Sequence, residues 1–264
     1  MLNIKSIEKI FNSGTVNETK LFDKFDLLIN KGDFITIVGS NGAGKSTILN
    51  MISGRLPIDN GGIFLNETEI TNMKEHNRAK FIARVFQDPT KGTSPSMTIL
   101  ENMALADNKG KRFGFSFGID KKKINFYKEQ LSILELGLEE KMDTKVGLLS
   151  GGQRQALSLL MATLKKPDLL LLDEHTAALD PKTSENIMAI TDKIVKEKNI
   201  TTLMITHNLN HAIDYGNRII MMHNGKQVLD KVGIEKEELT REKLIEQFTK
   251  VTFNGDLGDR VILG

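Results

Sequence analysis

Apolar residues alternate with polar ones over 2–11, 20–29 and 62–70, with charged or polar turns between, which predicts short strands of an antiparallel sheet near the start of the chain. A second pattern interleaves with it. FITIV at 34–38, IARVF at 82–86, LLLL at 169–172 and TLMI at 202–205 are nearly unbroken apolar runs, as in parallel strands covered on both faces. The runs ending at Val38, Leu172 and Ile205 each lead through a turn into helical spacing, the βα succession of a doubly wound α/β core. From Asp88 to Lys166 no parallel strand is predicted, whereas KINFYKEQLSILELGL and the segment after Ser150 have helical spacing. Near the end, IIMMH and KQVLD flank Asn224-Gly225, a pair suited to the positive φ angles of a type I′ hairpin. EELTREKLIEQF predicts one more helix.

These elements predict an α/β fold with a mixed, largely parallel core sheet. The core and its antiparallel β-subdomain are expected in 1–87 and 167–230, an inserted helical subdomain in 88–166, and a short extension in 231–264. No internal repeat or low-complexity tract is evident.

Composition narrows the function. At 39% apolar residues among 264, the chain has enough hydrophobic material for a full core. Its 36 basic and 34 acidic side chains leave a net charge of +2, which provides no electrostatic footprint for nucleic acid. Cysteine is absent, excluding disulfides, thiolate metal sites and a cysteine nucleophile, and agreeing with a reducing cytoplasm. The apolar stretch LSLLMATL at 157–164 ends at Lys165, Lys166 and Pro167, far short of the roughly 20 residues of a membrane span. MLNIKSIEKIFNSG is charged throughout and lacks the apolar region of a secretory signal, so the chain is expected to stay where it is made.

Chemistry enters with Gly39-Ser40-Asn41-Gly42-Ala43-Gly44-Lys45-Ser46-Thr47, which follows FITIV and opens the helix STILNMISG. Strand, glycine loop and helix are the context that a phosphate-binding loop needs. Its backbone N–H groups can face phosphates, the helix start adds positive potential, Lys45 reaches the β and γ oxygens and Ser46 ligates Mg²⁺. A plain glycine turn explains the glycines but not Gly44-Lys45-Ser46-Thr47.

LLLLDEH places Asp173 and Glu174 at the C-terminal end of a buried strand, where open α/β sheets bind ligands. Asp173 is suited to approach Mg²⁺ through its water shell, and Glu174, just past the strand, to turn toward an attacking water. Two acidic residues are also an ordinary solvated strand end, and it is their order after the phosphate loop that favours chemistry. Leu149-Ser150-Gly151-Gly152-Gln153 precedes RQALSLLMATLKK, so a serine and two glycines sit at a second helix start. Ser150 is equally an N-cap.

In this order and spacing the phosphate loop, LSGGQ, LLLLDE and a later histidine resemble the nucleotide-binding subunit of ATP-binding cassette transporters, over roughly residues 1–230. The resemblance implies a P-loop NTPase core that binds ATP and Mg²⁺ and hydrolyses ATP. It implies a head-to-tail homodimer, in which Ser150, Gly151, Gly152 and Gln153 of one copy cap the γ-phosphate on the other's loop. It also implies a separate membrane permease and no nucleic-acid partner. Gln87 resembles the glutamine that touches Mg²⁺ and water and senses the membrane partner, although a polar strand end is the plainer reading. Asp180 resembles an aspartate of the dimer interface, with a turn or cap before Pro181 as its competitor. His207 resembles the histidine that contacts the γ-phosphate, whereas His76, His175, His211 and His223 lack such placement; a core role for His207 is the alternative. Phe11 sits where the family stacks an aromatic ring on adenine, with simple packing as its alternative.

His175 stands where the family usually has proline, which leaves open the rigidity of that loop and a pH-sensitive contact near the site. Lys109, Lys111, Arg112 and Lys121 to Lys123 form a basic cluster, a solvated face or a contact to anionic lipid or the permease. GTSPSMTILENMALA, DEHTAALDPKT and GDRVILG resemble cassettes of a bacterial amino-acid uptake group that works with a substrate-binding lipoprotein and takes tryptophan- or tyrosine-type substrates. Such a subunit would lie on the cytoplasmic face of the membrane. DNA-repair ATPases with inserted coiled coils and tandem-cassette translation proteins share the motifs, but this chain has neither heptads nor duplication, leaving a bare soluble ATPase as the competing reading.

Overall fold

The computed structural model describes residues 1–110 and 118–253. In chain order the elements are β1 (Leu2–Phe11), β2 (Thr19–Ile29), β3 (Phe34–Gly39), α1 (Lys45–Ser53), β4 (Asn60–Leu65), β5 (Thr68–Glu69), α2 (Glu75–Arg78) and β6 (Ile82–Val85). There follow α3 (Ile99–Asp107), α4 (Ile124–Ser132), α5 (Gly151–Thr163), β7 (Leu169–Asp173), α6 (Pro181–Lys198), β8 (Thr201–Ile205) and α7 (Leu209–Asp214). The chain closes with β9 (Arg218–His223), β10 (Lys226–Val232), α8 (Ile234–Glu237) and α9 (Arg241–Phe253). Two compact units divide it, Met1–Ala79 with Thr201–Gly264, and Lys80–Ile200.

The first unit holds the predicted antiparallel sheet, in the order β2-β1-β4-β5. Leu2, Ile4 and Ile7 of β1 bury their side chains, as do Phe22 and Ile29 of β2 and Ile63 of β4; the parity of the buried positions changes within β1 and β2, where the ladder register shifts and Ser6 and Lys24 take φ 47° and 53°. In the same unit β3 lies between β8 and β9, parallel to both, with Ile37 opposite Ile205 on one side and Ile220 on the other. Every residue of β3 is buried, which is why its sequence lacks alternation. β10 pairs antiparallel with β9, making the sheet mixed, and the turn between them has Asn224 at φ 45° and Gly225 at φ 72°, both positive as the dipeptide predicts.

Val38, Ala212, Ile219, Met221 and Leu244 form one apolar cluster, with Leu209, Ile213 and Phe248 packed on it. Fully buried Leu244 of α9 therefore contributes about 1.5–3 kcal/mol beside the strand that feeds the glycine loop. The single helix predicted over EELTREKLIEQF is broken between Glu237 and Arg241. The Thr240 hydroxyl accepts from the Lys243 N–H at 3.3 Å and so starts a new helix.

In the second unit β6 and β7 run parallel, Val85 opposite Leu172, and the other regular elements described there are helices, joined by turns and loops. α3 opens on a reciprocal cap in which Thr98 and Glu101 each accept the other's backbone N–H. Buried Tyr127 of α4 donates to Asp107 of α3 at 3.1 Å, and the Lys123 ammonium bonds the same carboxylate oxygen at 2.5 Å. Burial and the adjacent Asp107 charge push the Tyr127 hydroxyl up to about 12. Lys123 of the basic cluster is thus an ion-paired residue and Lys121 and Lys122 are exposed; Lys111 and Arg112 lie outside the described residues.

Candidate functional site

The loop 39–44 leaves β3 and enters α1 in a conformation only glycine allows at its two ends. A β-carbon on Gly39 would overlap the Met222 carbonyl oxygen, and one on Gly44, at φ 99°, would lie 2.7 Å from the Phe22 ring. Lys45 is only 6% exposed, and its ammonium donates to the carbonyls of Gly39 at 2.7 Å and Ser40 at 2.8 Å, folding the loop around the charge. With Gly44 as N-cap, α1 has no cap from that residue's side chain and no acidic residue in its first turn, so no carboxylate of its own offsets the positive potential that the helix start offers an anion. At the other end, buried Arg78 donates to the Met51 and Ile52 carbonyls at 2.8 and 2.9 Å and also to Thr71 and Met73, which anchors the helix. Ser46 is exposed on the first turn and Thr47 half-buried beside it.

His207 belongs to the same unit. Because Ile37 faces Ile205 and the Thr206 N–H donates to the Ile37 carbonyl, His207 leaves the sheet one strand away from the glycine loop and at the same end, and it is exposed. Phe11 closes β1, half-buried, with the Lys9 ammonium 5.6 Å from its ring centre.

In the second unit the register of β6 and β7 releases Gln87, Asp173 and Glu174 at one end of the strand pair. Gln87 is exposed. The Arg84 guanidinium donates to Asp173 at 2.5 Å, with both side chains mostly buried. This partner of the acidic pair is absent from the sequence reading, although an arginine inside the apolar run IARVF is its signal. Glu174 takes φ 50°, a left-handed conformation that turns the chain sharply just after the strand. His175 points into the interior, 2% exposed, with Nε2 3.1 Å from the Thr191 hydroxyl. That hydroxyl donates to the Ile187 carbonyl at 2.7 Å, so the imidazole N–H donates to it. The residue at the usual proline position is a tether to α6 rather than a surface contact.

α5 starts with Ser150 and Gln153 capping one another's backbone N–H groups at 3.2 Å, so the N-cap reading of Ser150 holds. Gly151 is exposed, whereas Gly152 is buried where a β-carbon would overlap the Thr183 methyl. Gln155, one turn further, donates to the Phe86 carbonyl at 3.1 Å and ties this helix to the strand end that carries Gln87. Asp180 accepts the Thr183 N–H at 3.1 Å and caps α6, the turn role left open for it. Bonds from Thr183 hold its carboxyl below the usual range.

A family model described as ABC transporter matches residues 22–177, more than half of the chain. The chain belongs to the ABC transporter family. Among similar proteins, the "Tyrosine transport ATP-binding protein" of Clostridioides difficile is 51% identical over 94% of this chain and 98% of its own length. A "Phosphonates import ATP-binding protein" of Lactococcus lactis is 32% identical over 95% and 99%. Of solved structures, a dimeric post-hydrolysis ATP-binding cassette bound to ADP and Pi is 30% identical, with TM-score 0.73 over 88% of this chain and 98% of that one. The ADP conformation of another such cassette gives TM-score 0.76 at 28% identity over 94% and 98%. This ABC subunit therefore has the cassette fold of a P-loop NTPase core with a mixed sheet and an antiparallel N-terminal sheet, and it is an ATP-binding and ATP-hydrolysing subunit.

Proposed function

We propose that this ABC subunit energises bacterial import of a small solute, an amino acid, as a homodimer on the cytoplasmic face of a separate permease, and that its hydrolysis runs through Lys45, Asp173 and Glu174. The observation that carries the site is the uncapped, acid-free start of α1 wrapped around a buried Lys45. Ser40 to Thr47 bind the phosphates, by backbone N–H donors and the Lys45 charge. Ser46 and Asp173 supply hard oxygen donors of the kind that suit Mg²⁺, which when bound would offset phosphate charge. Glu174 orients and polarises the attacking water, and Gln87 and His207 hold it and the γ-phosphate in place. Phe11 stacks on the adenine. Ser150 to Gln153 of the opposing copy complete the phosphate cradle, with Asp180 at the dimer interface. In functional terms 1–87 and 167–230 act as the ATP-binding core and 88–166 as the part that carries LSGGQ, with 231–264 as an extension.

ATP does mechanical work here because it touches both copies only in the closed dimer and shifts that equilibrium by its differential affinity. No described helix is long and apolar enough to cross a membrane. A separate permease supplies the path for the cargo. A substrate-binding lipoprotein would deliver the cargo outside. The 51% identity to a tyrosine transport protein supports an aromatic amino acid as cargo over the phosphonate of the 32% relative. In proteoliposomes holding the whole transporter, tyrosine should raise ATP turnover and phosphonate should not; the reverse result overturns the cargo.

The hydrolytic assignment is tested by Glu174→Gln. ATP binding and the ATP-held dimer should persist, since the cradle is untouched, while steady-state turnover falls by about 10²–10⁴-fold. Near-normal turnover would remove Glu174 from the mechanism.

A further inference from the structure

His223 lacks the sequence placement of His207, yet the fold carries it to the glycine loop at Ser40. We propose that His223 is a positioning residue for that loop, acting through Ser40 on Lys45; the proposal rests on the reading of 39–47 as the ATP phosphate site. His223 Nδ1 and the Ser40 hydroxyl are 3.2 Å apart and share a hydrogen bond, and Ser40 is 1% exposed. The Ser40 carbonyl in turn accepts from the Lys45 ammonium at 2.8 Å and from the Ala43 N–H at 3.2 Å. Immobilising the Ser40 side chain therefore fixes the peptide that aims the cation.

The hairpin grips the loop at two further points. The Met222 carbonyl closes against Gly39, and the Gly225 N–H donates to the Ala43 carbonyl at 3.1 Å. Gly225 has no room for a side chain, since a β-carbon would overlap the Leu21 carbonyl. Met222, His223 and Gly225 thus meet Gly39, Ser40 and Ala43 in step. His223 supplies the one side-chain bond among these three, and its Nε2 is buried with no partner among the described residues. A buried ring nitrogen left unsatisfied is a cost that tighter packing alone does not explain, whereas the Nδ1 bond to the loop does.

A loop held this way arrives already ordered when ATP binds; without the bond its ordering opposes binding. The test compares ATP dissociation constants of the full chain with its stability. Wild type should bind and Lys45→Ala should not, which checks the underlying reading by itself: an unchanged constant in Lys45→Ala would refute the phosphate site, whatever His223 does. His223→Ala should weaken ATP binding about fivefold, equivalent to ~1 kcal/mol. The loss should appear in Kd and KM, with kcat at saturating ATP changing far less.

Asparagine places an amide where Nδ1 lies and offers donor and acceptor alike, so His223→Asn should restore binding, whereas His223→Gln, which mimics Nε2, should not. Ser40→Ala should match His223→Ala, and the double variant should add nothing further. An unchanged Kd in His223→Ala, equal weakness of the Asn and Ala variants, or full additivity in the double variant would each overturn the proposal. Should His223→Ala fail to fold, the contrast between Asn and Gln decides alone.

Discussion

Lys236 is a buried cation whose ammonium donates to three backbone carbonyls, of Ile213 at 2.8 Å, Tyr215 at 2.6 Å and Gly216 at 2.7 Å. Burial lowers its pKa from 10.5 to about 8, against the smaller upward pull of Asp214 and Glu237. Below pH 8 both the folded and unfolded chains hold the proton. Between about pH 8 and 10.5 the unfolded chain binds more protons than the folded one, so this group makes stability rise with pH in that window. Lys236→Met should remove that rise, seen as a smaller gain in urea midpoint from pH 8 to 10 than in wild type. A parallel pH dependence in the two proteins would contradict it. At the same scale His175 shows how a residue's role depends on where it points. As a sequence it is an anomaly beside Glu174, and in the fold it is a tether to Thr191.

The helix starts differ in what caps them, and the proposed phosphate contacts fall on the less capped ones. α3 and α6 open on the side-chain caps Thr98 and Asp180, while α1 opens on Gly44, whose lack of a side chain leaves the start uncapped by its own N-cap residue. α5 is intermediate: Ser150 caps it, yet Gly151 remains exposed at its first turn with its nearest foreign atom, on Leu179, 3.5 Å from a β-carbon. Gly151→Asp should therefore fold, and be as stable as wild type or more so by about 0.3–1 kcal/mol through the helix dipole. Its charge should still repel the partner's γ-phosphate and abolish the ATP-held dimer. Gly152→Asp is a poorer probe because it would also press into Thr183, so its melting temperature should fall. Calorimetry and gel filtration with ATP separate the two; a Gly151→Asp protein that still dimerises and hydrolyses ATP would place the helix start away from the nucleotide.

For the whole molecule the question is whether each active site draws on two copies. Lys45→Ala breaks one half and Gly151→Asp the other, so neither homodimer should turn over. In a verified heterodimer, one site pairs Lys45, Asp173 and Glu174 of the Gly151→Asp chain with LSGGQ of the Lys45→Ala chain and is intact. Random mixing should restore about a quarter of the wild-type rate, since half the dimers are mixed and each keeps one site. Absence of recovery would mean that each site lies within one chain or that the two fire only together.

Most strands and helices, the glycine turn from β3 into α1, the strand end at Asp173 and the Asn224-Gly225 turn were legible in the chain itself, because each depends on backbone geometry or apolar pattern over a few residues. Gly44 must turn left-handed whatever surrounds it, and LLLL must be covered on both faces wherever it lies. The break at Thr240 was missed because helical periodicity runs through it and the cap acts on a single hydroxyl. Tertiary structure alone decided that Arg84 grips Asp173, that Leu244 packs beside Val38, and that His223 reaches Ser40 from 183 residues away. Those contacts follow from strand register and from which faces meet, and neither is encoded in any local run of residues.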